Sequence, residues 1–207
     1  MKWFYDLVVF FLALPGLLWF RPKKIYEGGK KVRVKGGVLT IANHVGFYDP
    51  VYLMYGVPYR RHHFVCTEDI LSSPFRRWFL PKCLCIPIDR ENMSMDSFRK
   101  IVDVLKQGEM VTMFPEGHIV KEEENASGSF KSGMVLMAVQ AHVPILPVAI
   151  SKRKHFWNRL QIVIGQPIDI EALYGPRPSF SQVDELSKKL YKKELELQNL
   201  LHQKTKE

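Results

Sequence analysis

The chain has 207 residues, of which 46% are hydrophobic and 25% are charged. This length suits one domain with its own core, and the composition excludes both a disordered chain and a membrane protein with many spans. The formal net charge is +9, with a sequence pI near 9.4, which favours anionic partners such as a membrane surface, phosphate-bearing substrates or nucleic acid.

The chain begins with an apolar segment, Trp3–Phe20, which carries one charge and is interrupted at Pro15–Gly16. Aromatic residues near both of its ends are typical of a lipid interface. We predict that residues 1–24 are a membrane-associating segment with a basic flank, formed by a hydrophobic hairpin or by an interfacial helix broken at Pro15. The alternatives are a single span, a cleaved signal peptide, or a buried first helix of a soluble domain.

A basic stretch follows directly, with seven Lys and Arg residues between Arg21 and Lys35 against the single acid Glu27. Its position after the apolar segment favours an anionic membrane surface over nucleic acid. The stretch contains no nucleic-acid-binding motif. We therefore expect a membrane location with the basic residues at the cytoplasmic face, and no nucleic-acid partner.

Beyond Val32, short apolar runs rich in β-branched residues alternate with helical patterns. This alternation predicts an α/β domain over residues 25–207, with a mostly parallel central sheet flanked by helices. The predicted strands are Val38–Ala42, Phe64–Cys66, Leu84–Ile88, Met110–Phe114, Ile145–Ile150 and Leu160–Ile164.

Three helices are predicted between and after these strands. Phe98–Leu105 has helical apolar spacing and follows Ser94 or Asp96 as its cap. Gly133–Ala141 is apolar nearly all round and is therefore predicted to be buried. Val183–Leu197 predicts an amphipathic helix at the carboxy terminus.

The three cysteines are Cys66, Cys83 and Cys85. An odd count in a chain of this length argues against a disulfide framework, and the spacing does not fit a metal site. We predict three reduced packing residues and no metal. Cys83 and Cys85 belong to a strand-like run, so they are expected on opposite faces.

Polar residues follow three of the predicted strands. Asn43-His44 follows the first strand, Asp89-Arg90 the third, and Glu116-Gly117-His118 the fourth. In an open α/β sheet, ligands bind outside the carboxyl ends of the strands. We expect these groups to converge on one pocket.

His44 and Asp49 are five residues apart and would not meet on one regular helix. They can meet if the chain turns at Val45–Gly46 and then enters a helix. Asp49 would then orient the imidazole, leaving its other nitrogen to take a proton from an alcohol. A capping histidine beside a helix-start aspartate is the alternative interpretation of the same spacing.

Four further residues are candidates for binding an anion or a substrate. The Arg90 guanidinium suits bidentate phosphate binding, and Lys131 stands at the start of a predicted helix, where anions bind. Gly117 allows close backbone approach, and Glu116 can accept from a hydroxyl or hold a neighbouring base. An ordinary surface arginine, a tight turn and a solvated lysine are the alternatives.

Four motifs occur in order: N-H-x4-D at Asn43–Asp49, I-P-I-D-R at Ile86–Arg90, F-P-E-G at Phe114–Gly117, and V-P-I-L-P-V at Val143–Val148. In order and approximate spacing this set resembles the glycerolipid (lysophospholipid) acyltransferase family. The resemblance covers about Leu39–Ile150, more than half of the chain.

The resemblance implies transfer of a fatty acyl group from acyl-CoA or acyl carrier protein to a lysophospholipid hydroxyl, with 1-acylglycerol-3-phosphate as the expected acceptor. It implies His44 as general base and Asp49 as its orienting partner. Asn43, Arg90, Glu116, Gly117 and Lys131 are expected to bind substrate. Pro144 and Pro147 are expected at the acyl-donor site or in its packing, and no metal or bound cofactor is expected.

The third motif departs from the family pattern. The family often continues it with Thr-Arg-Ser, whereas His118-Ile119-Val120 follows here. One expected basic phosphate contact is therefore missing, which leaves a different lysolipid acceptor open. A membrane protein that binds phospholipid without catalysis is the alternative function, although binding alone does not require the His44–Asp49 pair.

Overall fold

The computed structural model describes residues 2–58, 60–89, 93–116, 130, 132–151 and 159–206. Its strands are β1 Lys23–Tyr26, β2 Val38–Ala42, β3 His62–Thr67, β4 Ile86–Ile88, β5 Met110–Met113, β6 Ile145–Ile150 and β7 Gln161–Ile164. Its helices are α1 Lys2–Phe20, α2 Asp49–Gly56, α3 Pro74–Lys82, α4 Met95–Lys106, α5 Ser132–Ala141, α6 Ile170–Tyr174 and α7 Phe180–Lys206.

The strands of the described chain form one sheet in the order β1-β7-β6-β2-β5-β3-β4. β6 and β7 pair antiparallel, and the other neighbouring strands pair in parallel. The predicted α/β fold with a mostly parallel central sheet is confirmed. β2 lies between β5 and β6, so polar residues after β2, β5 and β6 meet at one edge of the sheet.

Successive side chains of a strand point to opposite faces of the sheet, so the core has two layers, one on each face. Leu39 and Ile41 of β2 face a layer formed with α4, α5 and α7. Val38 and Ala42 face the opposite layer, where Leu53 of α2 is buried. Both faces of the strand are therefore covered, which is why parallel strands of this kind read as continuous apolar runs.

Two predicted strands, β2 and β6, have the predicted bounds, and Ser94 caps α4 by accepting a hydrogen bond from the Ser97 N–H at 3.1 Å. The prediction of a strand from Leu84 is wrong. Leu84 has a φ of 63° in a turn after α3, and β4 begins only at Ile86. Because of this turn, Cys83 and Cys85 line the same cavity instead of lying on opposite faces.

The first helix runs without interruption through Pro15, so the predicted break there is wrong. Next to that proline, Gly16 packs so closely on α2 that a Cβ would lie 1.6 Å from the Tyr55 hydroxyl. Nearer its start, the Tyr5 hydroxyl accepts a hydrogen bond from the His62 N–H at 3.1 Å. These contacts fasten α1 to the domain. No helix in the described ranges has the length and apolarity that crossing a bilayer requires.

Candidate active site

The loop between β2 and α2 folds around the side chain of Asp49. Its Oδ2 accepts three hydrogen bonds, from His44 Nδ1 at 2.7 Å, the Val45 N–H at 2.7 Å and the Gly46 N–H at 2.8 Å. Asp49 is the first residue of α2, where a carboxylate also interacts favourably with the helix dipole. The predicted turn at Val45–Gly46 therefore brings His44 and Asp49 together.

The hydrogen bond to Asp49 defines the state of the His44 ring. A carboxylate can only accept, so Nδ1 carries a proton, and in the neutral form of the ring Nε2 then keeps its lone pair. Nε2 has no hydrogen-bond partner within the described part of the chain, and 20% of the side chain is exposed, whereas Asp49 is fully buried. The ring stacks on Phe114 with centroids 4.3 Å apart and an interplanar angle of 18°. This is the arrangement that a general base requires.

The turn after β5 meets the same loop. Glu116 accepts a hydrogen bond from the His44 backbone N–H through Oε2, at 2.9 Å. This contact joins residues 72 positions apart and fixes the backbone from which the imidazole projects. The predicted convergence of the residues after β2 and β5 is found.

Asn43 connects the ends of two strands. Its Oδ1 accepts from the Ile150 N–H at 2.7 Å, and its Nδ2 donates to the Ile150 carbonyl at 3.0 Å. The side chain is buried and satisfies both backbone groups of the last residue of β6. Its contacts in the structure are thus with the sheet, and its predicted contact with substrate stays a prediction.

A large apolar cavity of about 720 Å³ lies beside His44. Its walls come from α1, α2, α3, β3, β4, β5 and α5, and include Val8, Met54, Phe79, Ile88 and Met134. His44 and Glu116 are part of its lining. Cavities of this size and apolarity are typical of sites that enclose most of an organic ligand.

Three predicted site residues, Arg90, Gly117 and Lys131, lie outside the described residues, and their roles stay predictions. Pro147 is buried within β6 and its carbonyl accepts from the Gly165 N–H at 2.9 Å. Pro144 lies just before β6, and its carbonyl accepts from the Leu39 N–H at 3.1 Å. Both prolines pack in or beside the sheet, and neither is among the described residues that line the cavity.

Sequence patterns did not identify Phe114 or the contributions of α1 and α3 to the cavity. Phe114 directly follows β5, so its place at the strand end was a usable signal. Val8 and Phe79 reach the cavity through contacts between distant segments, which local periodicity does not reveal.

A His–Asp pair thus lies at the carboxyl edge of the mostly parallel sheet, beside a large apolar cavity, and such an arrangement suits base catalysis on an apolar substrate. The family model described as Acyltransferase matches residues 24–151, more than half of the chain. The chain belongs to the Acyltransferase family and is an O-acyltransferase.

Two curated relatives are named 1-acyl-sn-glycerol-3-phosphate acyltransferase. The protein from Bacillus subtilis is 27% identical over 188 residues, which cover 86% of this chain and 92% of that protein. The protein from Streptococcus pneumoniae is 29% identical over 138 residues, which cover 64% of this chain and 50% of that protein. The chain thus spans nearly all of one relative and half of the other.

A solved structure has a similar fold. It is the 1-acyl-sn-glycerophosphate (LPA) acyltransferase PlsC from Thermotoga maritima, with a TM-score of 0.61. The match covers 93% of this chain and 78% of that chain at 20% identity. This likeness supports the mostly parallel α/β architecture.

Proposed function

We propose that this protein transfers a fatty acyl group from acyl-CoA or acyl carrier protein to the free hydroxyl of 1-acylglycerol-3-phosphate, giving phosphatidic acid. The observation that carries the proposal is the hydrogen bond of 2.7 Å between His44 Nδ1 and Asp49, beside the apolar cavity. The names of the relatives support this choice of acceptor.

His44 acts as general base in this proposal. Asp49 holds the proton on Nδ1, so Nε2 takes the proton of the acceptor hydroxyl while its oxygen attacks the thioester carbonyl carbon. A carbon–oxygen bond forms, the carbon–sulfur bond breaks, and the imidazolium returns the proton to the leaving thiolate. A thioester is already activated, so alignment and one base supply most of what the reaction requires.

The apolar cavity takes an acyl chain in this proposal. Its lining is aliphatic, aromatic or sulfur-containing along most of its surface, with His44 and Glu116 among the few polar groups. An acyl chain inside it would place its carbonyl end near Nε2. The proposed contacts for the acceptor phosphate are Arg90 and Gly117, which belong to the motifs, and Lys131, which stands at the predicted start of a helix.

We also propose that α1 and α3 rest on the membrane at its cytoplasmic face. Trp3, Phe75 and Trp78 are 69%, 63% and 53% exposed, and Phe4 packs edge-on against Trp78 at 5.9 Å, which joins the two helices. Aromatic side chains in such positions suit a bilayer interface. The Lys82 ammonium lies 3.7 Å from the Trp78 ring centroid, where it can also meet anionic headgroups.

The reaction is tested with purified wild-type protein and His44→Ala in detergent. Each is mixed with labelled acyl-CoA, or separately with acyl carrier protein, and with 1-acylglycerol-3-phosphate, and both product and released thiol are followed. We expect product from the wild type and a loss of at least ~10²-fold in His44→Ala. His142→Ala, which changes a surface histidine paired with Glu171, is the matched control and should remain active.

Full activity in His44→Ala would refute the assignment of the base. Product with another lysolipid, and none with 1-acylglycerol-3-phosphate, would refute the acceptor while leaving acyl transfer in place. Absence of product with every donor and lysolipid would refute transfer and favour a lipid-binding protein.

The membrane surface is tested by sedimentation with vesicles that contain phosphatidylglycerol. We expect Trp78→Ser to reduce the bound fraction several-fold, because it removes an exposed aromatic anchor. Leu173→Ser, which changes an exposed residue of α6, is the control and should bind like the wild type. Equal binding by both variants would contradict the proposal.

A further inference from the structure

Helix α3 carries positive charge at the end where a helix tolerates it least. Its sequence, PFRRWFLPK, contains three cations and no acid, and Arg76 and Arg77 are its third and fourth residues. The helix dipole places partial positive charge at this end, so basic side chains there reduce the stability of the helix. Both arginines are exposed and contribute nothing to the core. Their positions therefore favour a contact with an anion outside the chain.

This helix also borders two different spaces. Phe79 and Leu80 belong to the wall of the apolar cavity beside His44. A separate open groove of about 410 Å³ is lined by Ser72, Pro74, Arg77 and Trp78. A ligand in this groove would therefore contact the helix that forms part of the wall of the apolar cavity.

The groove combines a group that can bind phosphate with an apolar surface. The exposed guanidinium of Arg77 presents its donors in a planar fork, which matches two oxygens of a phosphate. Trp78 and Phe75 are both largely exposed, and their ring centroids lie 6.3 Å apart. A free anion would use only the cation, whereas a phospholipid brings a phosphate together with apolar groups. The groove thus suits a phospholipid better than a soluble anion.

Two further cations adjoin the residues of the groove. Arg76 donates a hydrogen bond to the Ser72 hydroxyl at 3.1 Å, and the Lys82 ammonium lies over the ring of Trp78. These contacts place positive charge beside two of the lining residues. Charge of this sign attracts anionic lipids and gains little from zwitterionic ones.

We propose that this groove binds the phosphate of an anionic phospholipid in the bilayer, with Arg77 as the ligand of the phosphate oxygens and Trp78 against the carbons of the lipid. The inference rests on the proposed contact of α3 with the membrane. A lipid held there fastens α3 to the membrane through one defined headgroup. The wall that Phe79 and Leu80 contribute to the apolar cavity is thereby kept at the membrane interface.

Sedimentation with phosphatidylcholine vesicles, with and without phosphatidylglycerol, tests the site through two substitutions. Arg77→Gln removes the charge, whereas Arg77→Lys keeps it and lacks the planar fork. We expect both to weaken binding to the anionic vesicles about tenfold, because each loses the paired hydrogen bonds to phosphate. The control Arg99→Gln removes an exposed arginine of α4 and should bind like the wild type.

Two outcomes of this experiment would overturn the site while leaving the membrane contact of α3 in place. Binding of Arg77→Lys equal to that of the wild type would show that only charge matters. Equal binding of the wild type to neutral and to anionic vesicles would show that the groove does not select an anionic headgroup.

Isothermal titration calorimetry without vesicles distinguishes a lipid headgroup from free phosphate. Arg77→Gln is titrated in parallel, so that the difference between the two proteins isolates the groove from the apolar cavity. For this difference, short-chain phosphatidylglycerol should bind at least about tenfold more tightly than inorganic phosphate, because only the lipid covers apolar surface. Equal affinities would assign the groove to a soluble phosphate and overturn the proposal. Neither measurement depends on catalysis, so a wild type that binds as expected and forms no product would contradict the proposed reaction alone.

Discussion

His44 and His62 both stack on phenylalanine rings, with centroid distances of 4.3 Å to Phe114 and 5.3 Å to Phe64. His44 lies at the edge of the sheet, where one nitrogen meets a carboxylate. His62 lies within β3 and is fully buried, and Thr112 Oγ1 lies 2.8 Å from Nδ1 while the Val57 carbonyl lies 3.2 Å from Nε2. A carbonyl can only accept, so His62 Nε2 donates to it and Nδ1 accepts from the Thr112 hydroxyl.

The comparison shows that stacking does not determine what a histidine does. Both nitrogens of His62 are used in the fold, and burial lowers its pKa from 6.5 to about 4, so this ring stays neutral. In His44, Nε2 has no hydrogen-bond partner among the described residues, and the carboxylate at Nδ1 can stabilise an imidazolium. Exposure and the charge of the partner separate the proposed catalytic ring from the structural one.

The largest expected effect comes from removing the charge beside His44. Asp49→Asn keeps an oxygen that can accept from Nδ1 of His44 and from the Val45 and Gly46 N–H groups, but the neutral amide no longer stabilises an imidazolium with a negative charge. We expect kcat for acyl transfer to fall by about 10²–10⁴-fold, with the melting temperature nearly unchanged. Initial rates and thermal unfolding measured on the same preparation provide the test.

Asp69→Asn is the matched control, because Asp69 is an exposed carboxylate on the turn after β3. It should behave like the wild type in both assays. An Asp49→Asn protein within threefold of wild-type kcat would show that the carboxylate does not determine how His44 works.

The next effect concerns the stability that His62 contributes. Its folded-state pKa is lower than the unfolded value, so the folded protein binds fewer protons between these two values. The contribution is therefore complete above pH 6.5 and decreases as the pH falls towards 4. A depression from 6.5 to about 4 corresponds to about 3 kcal/mol of unfolding free energy.

Urea unfolding of the wild type and His62→Gln from pH 7 to pH 4 measures this contribution. The wild type should lose about 3 kcal/mol more unfolding free energy than the variant over that interval. Only in the wild type does this ring take up a proton when unfolding exposes it, which favours the unfolded state. His63, whose pKa is also lowered by burial, is present in both proteins and cancels in the difference. Parallel pH dependences would contradict the structural role of His62.

Local patterns predicted the interior of the fold better than its periphery. β2 and β6 are uninterrupted apolar runs because both of their faces are covered, and their predicted bounds are the observed ones. β1, with the sequence KKIY, pairs with β7 at the edge of the sheet that the described residues form, and its two lysines hide the apolar pattern by which a strand is recognised. α3 contains Pro81 and exposes Arg76 and Arg77, which obscured its helical pattern.

Part of the site could also be predicted, because it lies next to the well-predicted strands of the interior. His44, Asp49 and Glu116 follow recognisable strands, so their convergence at one sheet edge could be inferred from topology. The walls contributed by α1 and α3 could not be inferred, because Val8 and Phe79 reach the cavity through contacts between distant segments.

The smallest expected effect concerns two threonines inside the sheet, one of which contacts His62. Thr40 and Thr112 are register partners on β2 and β5, and both are fully buried. Thr112 donates to His62, whereas Thr40 Oγ1 has no hydrogen-bond partner within the described chain. Valine has nearly the same shape as threonine and lacks the hydroxyl.

Thr112→Val should therefore cost about 1–2 kcal/mol of unfolding free energy at neutral pH, because it leaves His62 Nδ1 buried without a donor. Thr40→Val removes a hydroxyl that makes no hydrogen bond with the described residues, so it should leave the unfolding free energy unchanged or raise it slightly. Both variants should keep the wild-type kcat, since neither changes His44 or Asp49. Equal stability of the two variants in urea would mean that the hydroxyl of Thr112 does not hold His62, and that burial alone accounts for the properties of that ring.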